Sequence, residues 1–345
     1  MQNYCEYFAA RNGYDGFKSY FGEIFDSKDF SRIYVIKGGP GTGKSSMMKR
    51  LLKNFSDYSR EAIYCSSDPA SLDGVIIESG GKKVALLDGT APHERDAVIP
   101  GAIDEIINLG ENWDKNWLYA ERARILELNN EKKAAYSTAY SYLSLVGNMR
   151  RPYGEKTISF PRELLSELCN KAENAFEKKT RLISSFGKSG FYRLSAPFDK
   201  GSKFIKLEGE GERAMIFLTR LSEKLSEERI SHTVYPLALD DSLTEAIYIP
   251  SSGTVLIAYE ASDIEYEKII CVDSHFSALS RLNNEKRRVK LKCASEIEAE
   301  AVRWFSIASE LHFELEAIYS SAMDYKRNDA IFEEKREEIL NILKS

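Results

Sequence analysis

The chain has 345 residues, 43% hydrophobic and 29% charged, with 21 Gly and 9 Pro; these values exclude disordered, collagen-like and disulfide-scaffold classes and leave room for about two domains at roughly 150 residues each. Forty-eight Lys and Arg against 53 Asp and Glu give a net charge of −5, so no global basic field exists to hold nucleic acid or an anionic membrane. The five cysteines are scattered, with no Cys-x-x-Cys pair, the N-terminus lacks the basic and apolar regions of a signal peptide, and no apolar run approaches the ~20 residues of a membrane span. A soluble cytoplasmic protein is expected.

Tyr7, Phe8, Tyr14, Phe17, Tyr20 and Phe21 come first, an aromatic group that either packs as an amphipathic stripe or stacks on a base. Ser31-Arg-Ile-Tyr-Val-Ile-Lys37 is a β-branched run of strand type, and it stops at Gly38-Gly-Pro-Gly-Thr-Gly-Lys-Ser45. That segment matches G-x-x-x-x-G-K-[ST] in every fixed place. Met47, Met48, Leu51, Leu52 and Phe55 then recur at helical spacing. In such a strand, glycine loop and helix, glycines let backbone N–H groups curl around phosphate oxygens at the positive end of a helix. Gly38, Gly39, Gly41, Thr42, Gly43, Lys44, Ser45 and Ser46 are the expected nucleotide contacts. Lys44 is placed to reach the β- and γ-phosphates, and the Ser45 hydroxyl to ligate Mg²⁺.

Such a loop needs a carboxylate at a neighbouring strand end to organise the magnesium shell. Val84-Ala-Leu-Leu-Asp88 has that form, which makes Asp88 the Walker B candidate and the second metal residue; Asp68, before Pro69, is the runner-up. Many hydrolytic ATPases follow the Walker B aspartate with glutamate, but here Gly89 follows, which argues against fast hydrolysis. His93 and Glu94 in the next loop are the remaining catalytic candidates, and Arg95 beside them is placed to meet phosphate charge.

Residues 100–109 read as a short helix or a strand. Residues 112–146 read as a helical insertion, and residues 147–154, with Arg150, Arg151 and Pro152, as a boundary. A connecting helix is expected from about Pro161 to Phe186. The expected organisation is a P-loop domain at 1–148, a linker and helix at 149–187, and a second domain at 188–345 ending in helices.

The second domain reads as a worn copy of the first. A shift of 170 residues lays Gly209 on Gly39, Gly211 on Gly41, Arg220 on Arg50 and Leu221 on Leu51, an internal repeat. Under that shift Arg213 replaces Gly43, Ala214 replaces Lys44 and Met215 replaces Ser45; with one inserted residue, Tyr259 replaces Asp88. Glu208, Glu210 and Glu212 put like charge where an anion would sit. Glu285-Lys-Arg-Arg-Val-Lys-Leu-Lys292 reads as a solvated face, and His232, His275 and His312 as structural.

The loop at 38–45, Asp88-Gly-Thr-Ala-Pro-His93 and Pro100-Gly-Ala-Ile-Asp-Glu-Ile-Ile-Asn-Leu-Gly110 together resemble a bacterial family of uncharacterised ATPases with two tandem P-loop domains. The resemblance spans the chain and is sharp across about residues 30–145. It implies ATP binding at Lys44 and Ser45, with Asp88 as the Walker B acid. The family's second domain usually keeps a P-loop, and Arg213, Ala214 and Met215 depart from it. The expected fold is therefore α/β: a duplicated P-loop NTPase three-layer sandwich with mainly parallel sheets and long helical insertions. The expected ligands are ATP and Mg²⁺ at a single site, with an unidentified protein or small-molecule partner and no nucleic acid or membrane. A slow ATPase leads, and a small-molecule kinase or a non-hydrolysing ATP-sensing scaffold is the alternative.

Overall fold

Runs of β-branched and aromatic residues build two six-stranded sheets in the computed structural model, which describes residues 4–150, 160, 164, 168, 175–194, 198, 201–261, 264–276 and 281–345. The first half contains β1 (Tyr4–Phe8), a hairpin β2 (Ala10–Gly13) and β3 (Gly16–Ser19), then β4 (Arg32–Lys37), β5 (Ser59–Tyr64), β6 (Leu72–Ser79), β7 (Lys82–Asp88) and β8 (Asp104–Asn108). The second contains β9 (Lys178–Thr180), a hairpin β10 (Ser184–Gly187) and β11 (Gly190–Arg193), then β12 (Lys203–Glu208), β13 (His232–Pro236), β14 (Thr244–Ile249), β15 (Thr254–Ile257) and β16 (Lys268–Cys271). Helices are α1 (Phe21–Ile24), α2 (Lys44–Asn54), α3 (Lys115–Ala120), α4 (Arg122–Arg150), α5 (Arg213–Glu227), α6 (Arg281–Ser321) and α7 (Tyr325–Lys344).

The sheet orders β1-β5-β6-β7-β4-β8 and β9-β13-β14-β15-β12-β16 are the same topology twice. In each, one strand, β6 or β14, runs against the other five. The architecture is α/β with mixed, mostly parallel sheets. Both hairpins turn between glycines, Gly13 to Gly16 and Gly187 to Gly190, so the repeat reaches further upstream than the P-loop region.

One expectation changes, and two open readings resolve. Residues 178–180 and 184–187 are strands, not the end of a connecting helix: β9 pairs in parallel with β13, and β10 is caught against the first half. Leu164 and Leu168 are helical and buried against α5, while Arg151 and Pro152 of the expected boundary lie outside the described residues. Residues 104–108 resolve as a strand because they pair in parallel with β4. The N-terminal aromatics are packing groups, with Phe8, Tyr20 and Phe21 buried and Tyr7 stacked on Tyr235 at 6.5 Å.

The ungapped shift also gives way to a register. β4 ends at Lys37 and α2 begins at Lys44, whereas β12 ends at Glu208 and α5 begins at Arg213, so the second loop, 209–212, is two residues shorter than 38–43. Arg213, not Ala214, therefore stands where Lys44 stands, and Ala214 falls on Ser45. The pairing of Val35 with Leu87 and of Lys206 with Ile257 puts Ala258, not Tyr259, at the place of Asp88.

The halves exchange hairpins. Phe8 N–H donates to Leu182 O at 2.8 Å and Asn12 Nδ2 to Phe186 O at 2.7 Å. The β2–β3 hairpin reaches the second half, where fully buried Arg11 pairs with Asp241 at 3.0 Å and Tyr14 N–H donates to Leu239 O at 2.9 Å. In return, the β10–β11 hairpin carries Lys188 to Asp68 of the first half at 2.9 Å. A buried guanidinium is tolerated only when its charge is answered; Asp15, 2.8 Å from Arg11, and Asp241 do so.

α4 and α6 pack antiparallel, with Ile125 and Leu128 on Leu315 at one end and Leu143 and Ala139 on Ala301 and Phe305 at the other. Arg124–Glu314 and Arg150–Glu298 ion pairs, at 2.7 and 2.6 Å, flank the seam. α7 then folds back beside α2, where Phe332, Ile339 and Leu343 join Tyr34, Ile36, Met48 and Leu51 on one face of the first sheet. Phe8, Phe21, Phe25, Ile33, Val35 and Leu87 cover the other face. Each such fully buried side chain contributes about 1.5–3 kcal/mol of transfer free energy, so the strands that carry the site are held from both sides.

Candidate functional site

Parallel strands bring the glycine loop and Asp88 together. The β4–β7 register pairs Ile36 with Asp88, so the acid emerges where the loop begins. Gly43 caps α2 in the left-handed region, φ 85°, and offers no side-chain cap bond. The first-turn N–H groups of Lys44, Ser45 and Ser46 thus lack intrahelical acceptors and sit at the positive helix end. Lys44 Nζ donates to Gly38 O and Gly39 O, both at 2.8 Å, and stands 3.5 Å from Asp88 Oδ2. Thr42 Oγ1 donates to Gly39 O at 3.0 Å, and Ser45 Oγ accepts from Leu72 N–H at 3.0 Å.

Asp88 is oriented by Thr90, whose N–H and hydroxyl both donate to Oδ1, at 2.9 and 2.5 Å. Burial pushes its pKa above the ordinary value; Lys44 and Thr90 pull it down, and Asp73 adds to the rise. As pH falls, Asp88 therefore takes up its proton earlier than an ordinary carboxylate. The folded state binds that proton more tightly than the unfolded one, so this group's contribution to stability grows as pH falls through the window between its ordinary and its raised pKa. Metal affinity runs the other way, because magnesium needs the carboxylate ionised. Magnesium-dependent nucleotide affinity, titrated from about pH 8 down to about pH 5, is expected to weaken above the usual range near pH 4 and to lose that dependence in Asp88→Asn.

Asp73 is a site residue that sequence reasoning missed. It opens β6 next to Leu72, is buried, and its Oδ2 lies 3.1 Å from His93 Nε2. His93 is buried too, stacked on Phe21 at 4.4 Å. With Nε2–H given to Asp73, Nδ1 is left as an acceptor, and it is buried without a partner among the described residues. Of the two loop candidates, His93 joins the site through Asp73. Glu94 is exposed, with no hydrogen bond or ion pair among the described residues. Arg95 faces away from phosphate: it binds Phe25 O, Ser27 Oγ and Asp104. Asp68, the runner-up for that acid, is held by Lys188, and its Oδ1 accepts from Ala70 N–H at 3.2 Å. Lys37 pins the loop after Asp88, with Nζ at 2.8 Å from Gly89 O and 2.7 Å from Arg95 O.

The outer face of the glycine loop lies against the α6–α7 turn. A Cβ on Gly41, φ +68°, would meet Glu316 O at 2.5 Å and Ser320 N at 3.0 Å, so only glycine fits there. Tyr325 Oη donates to Gly41 O at 2.7 Å and Asn328 Nδ2 to Thr42 O at 2.8 Å. Trp113 and Tyr319 face Gly39.

The first-turn N–H groups of α2, at its positive end, together with Lys44 fit a polyphosphate. The site also fits Mg²⁺, which keeps several waters and takes substrate phosphates beside one or two protein oxygens, here Ser45 Oγ and Asp88. The described residues contain no group of three or more acidic, His or Cys ligands, which magnesium bound in this way does not require.

The second half holds other side chains at the corresponding places. Arg213 donates to Asp273 at 2.9 Å, Arg287 lies within 3.5 Å of Glu210 and Glu212, and Arg193 is bound at 2.6 Å to Glu245, the counterpart of Asp73. No helix among the described residues is long and apolar enough to cross a membrane. No family model, curated protein or solved structure matches the chain.

Proposed function

We propose that the first half is a P-loop NTPase domain of three-layer type that binds Mg·ATP and hydrolyses it slowly, and that the second half is its degenerate copy. The observation that carries this reading is Lys44 Nζ standing 3.5 Å from Asp88 Oδ2 beside the glycine loop, at the first residue of α2. Lys44 and the loop N–H groups bind the phosphates, and Ser45 and Asp88 hold the metal. Held there, Mg²⁺ would supply positive charge against the phosphates.

His93, held by Asp73, is the group that accepts a proton of the attacking water in this reading, and Asp73 orients its ring. Gly89 beside Asp88 leaves no glutamate in the usual position for that proton, which supports slow turnover. The C-terminal end of α6, at Glu316 and Ser320, rests on Gly41, the contact through which a displacement of the loop would reach the α4–α6 arm.

Release of ADP by the purified protein, with and without a panel of metabolites, tests the reading. Steady Mg²⁺-dependent release without an acceptor is expected, near or below the low end of ordinary turnover at about 1 s⁻¹, and Asp73→Asn should reduce it. Release that requires a metabolite would make the protein a kinase. Binding with no release would make it an ATP-sensing scaffold.

A further inference from the structure

Cations converge near the P-loop from elements far apart in sequence. His312 lies on α6, one turn before Glu316, whose carbonyl sits against Gly41. Lys132 lies on α4, which packs along α6 through Leu128 and Leu315. Lys188 comes from the tip of the β10–β11 hairpin of the other half. Its Nζ is 2.9 Å from Asp68 Oδ2 and 4.7 Å above the Phe313 ring, and its carbonyl accepts from Ser306 Oγ at 3.1 Å.

Burial first, and then the positive charges of Lys132, Lys44 and Lys188 against the opposing charge of Asp68, hold the His312 imidazole down to about 4. It is therefore neutral near pH 7. Lys132 is half-buried, its own pKa lowered by burial and by Lys133, and it has no acidic partner among the described residues. A desolvated ammonium without a counter-ion is costly, and such perturbed groups cluster at functional sites because a ligand answers their charge. Lys44 stands beside Asp88 and Lys188 beside Asp68, while Lys132 is left without such a partner among the described residues.

We propose that Lys132, Lys188 and His312 form a subsite for the terminal phosphate of a nucleoside triphosphate, completing the site from α4, α6 and the second half. This rests on the Mg·ATP reading of Lys44. Lys188 exchanges its ion pair with Asp68 for one with phosphate oxygen, Lys132 gains the counter-ion it lacks, and neutral His312 donates one N–H. The half without a nucleotide site thereby keeps a role at the other's site, through the exchanged hairpin.

The test compares Mg²⁺-dependent affinities for ADP and for AMPPNP, by calorimetry, in the wild type, Lys132→Met, Lys188→Ala and Lys188→Arg. Lys132→Met breaks no ion pair, so it carries the test even if freeing Asp68 unsettles Lys188→Ala. Lys132→Met and Lys188→Ala are each expected to weaken AMPPNP by roughly 10-fold or more while leaving ADP within about twofold, and Lys188→Arg to retain AMPPNP binding. Equal losses for both nucleotides, or no loss for either, would overturn the subsite alone. A wild type that binds neither would overturn the P-loop reading with it. Without nucleotide, the His312 ring signal, identified with His312→Asn, should titrate near its depressed value in the wild type and move toward the ordinary ~6.5 in Lys132→Met; a titration unmoved in both lysine variants would show that these lysines do not face the ring and would overturn the subsite.

Discussion

Lys44→Ala is expected to lower ATP affinity by about 10- to 100-fold. Lys44 Nζ sits 2.8 Å from two loop carbonyls and 3.5 Å from Asp88, so it is already placed at the loop mouth and spends little ordering free energy on binding. Charge-assisted contacts to phosphate contribute roughly 1.5–3 kcal/mol, and each 1.4 kcal/mol is tenfold. The fold should survive. The loop is also held by Tyr325, Asn328 and Thr42, and α2 by Met47, Met48 and Leu51 in the core. Calorimetry on the variant, with circular dichroism to confirm folding, checks this; unchanged affinity in a folded variant would remove the assignment of the site.

Asp88→Asn separates binding from turnover. The amide oxygen can still accept from Thr90 N–H and hydroxyl, so the local structure is kept, but the charge that supports magnesium is gone. Nucleotide binding should persist through the loop and Lys44, while magnesium-dependent ADP release falls by roughly 100-fold or more, the scale of several kcal/mol of transition-state stabilisation. Asp68→Asn should leave ADP release far less affected, because Asp68 touches Lys188 and its own turn rather than the metal residues. The opposite ranking would move the Walker B role to Asp68.

The parts of the site legible in the sequence are those whose chemistry is local. Gly38 to Ser45 announce a phosphate loop because the glycines, the lysine and the hydroxyl must stand at fixed spacing, and Asp88 because an acid ends an apolar strand. Asp73 gives no such signal: it lies at the start of a strand, and its meeting with His93 depends on β6 pairing with β7. Lys132, Lys188 and His312 converge only through the hairpin exchange and the α4–α6 arm, contacts that no window of sequence contains. The strands at 178–187 were obscured for the same reason, since short segments such as Lys178–Thr180 take their conformation from pairing with β13. The repeat was legible but its register was not. The second loop is two residues shorter while the flanking strand and helix move in compensating directions, so an ungapped shift put Ala214 on Lys44, where the structure puts Arg213.

One site per chain is the central claim. In the second half the loop is two residues shorter, Arg213 is tied to Asp273, Ala214 offers no hydroxyl, Ala258 offers no carboxylate, and Glu245 is bound to Arg193. Calorimetric titration of the whole chain with ATP and Mg²⁺ should give a stoichiometry near one, with that single site weakened about 10- to 100-fold in Lys44→Ala. A stoichiometry near two, or a site of undiminished affinity in that variant, would contradict it.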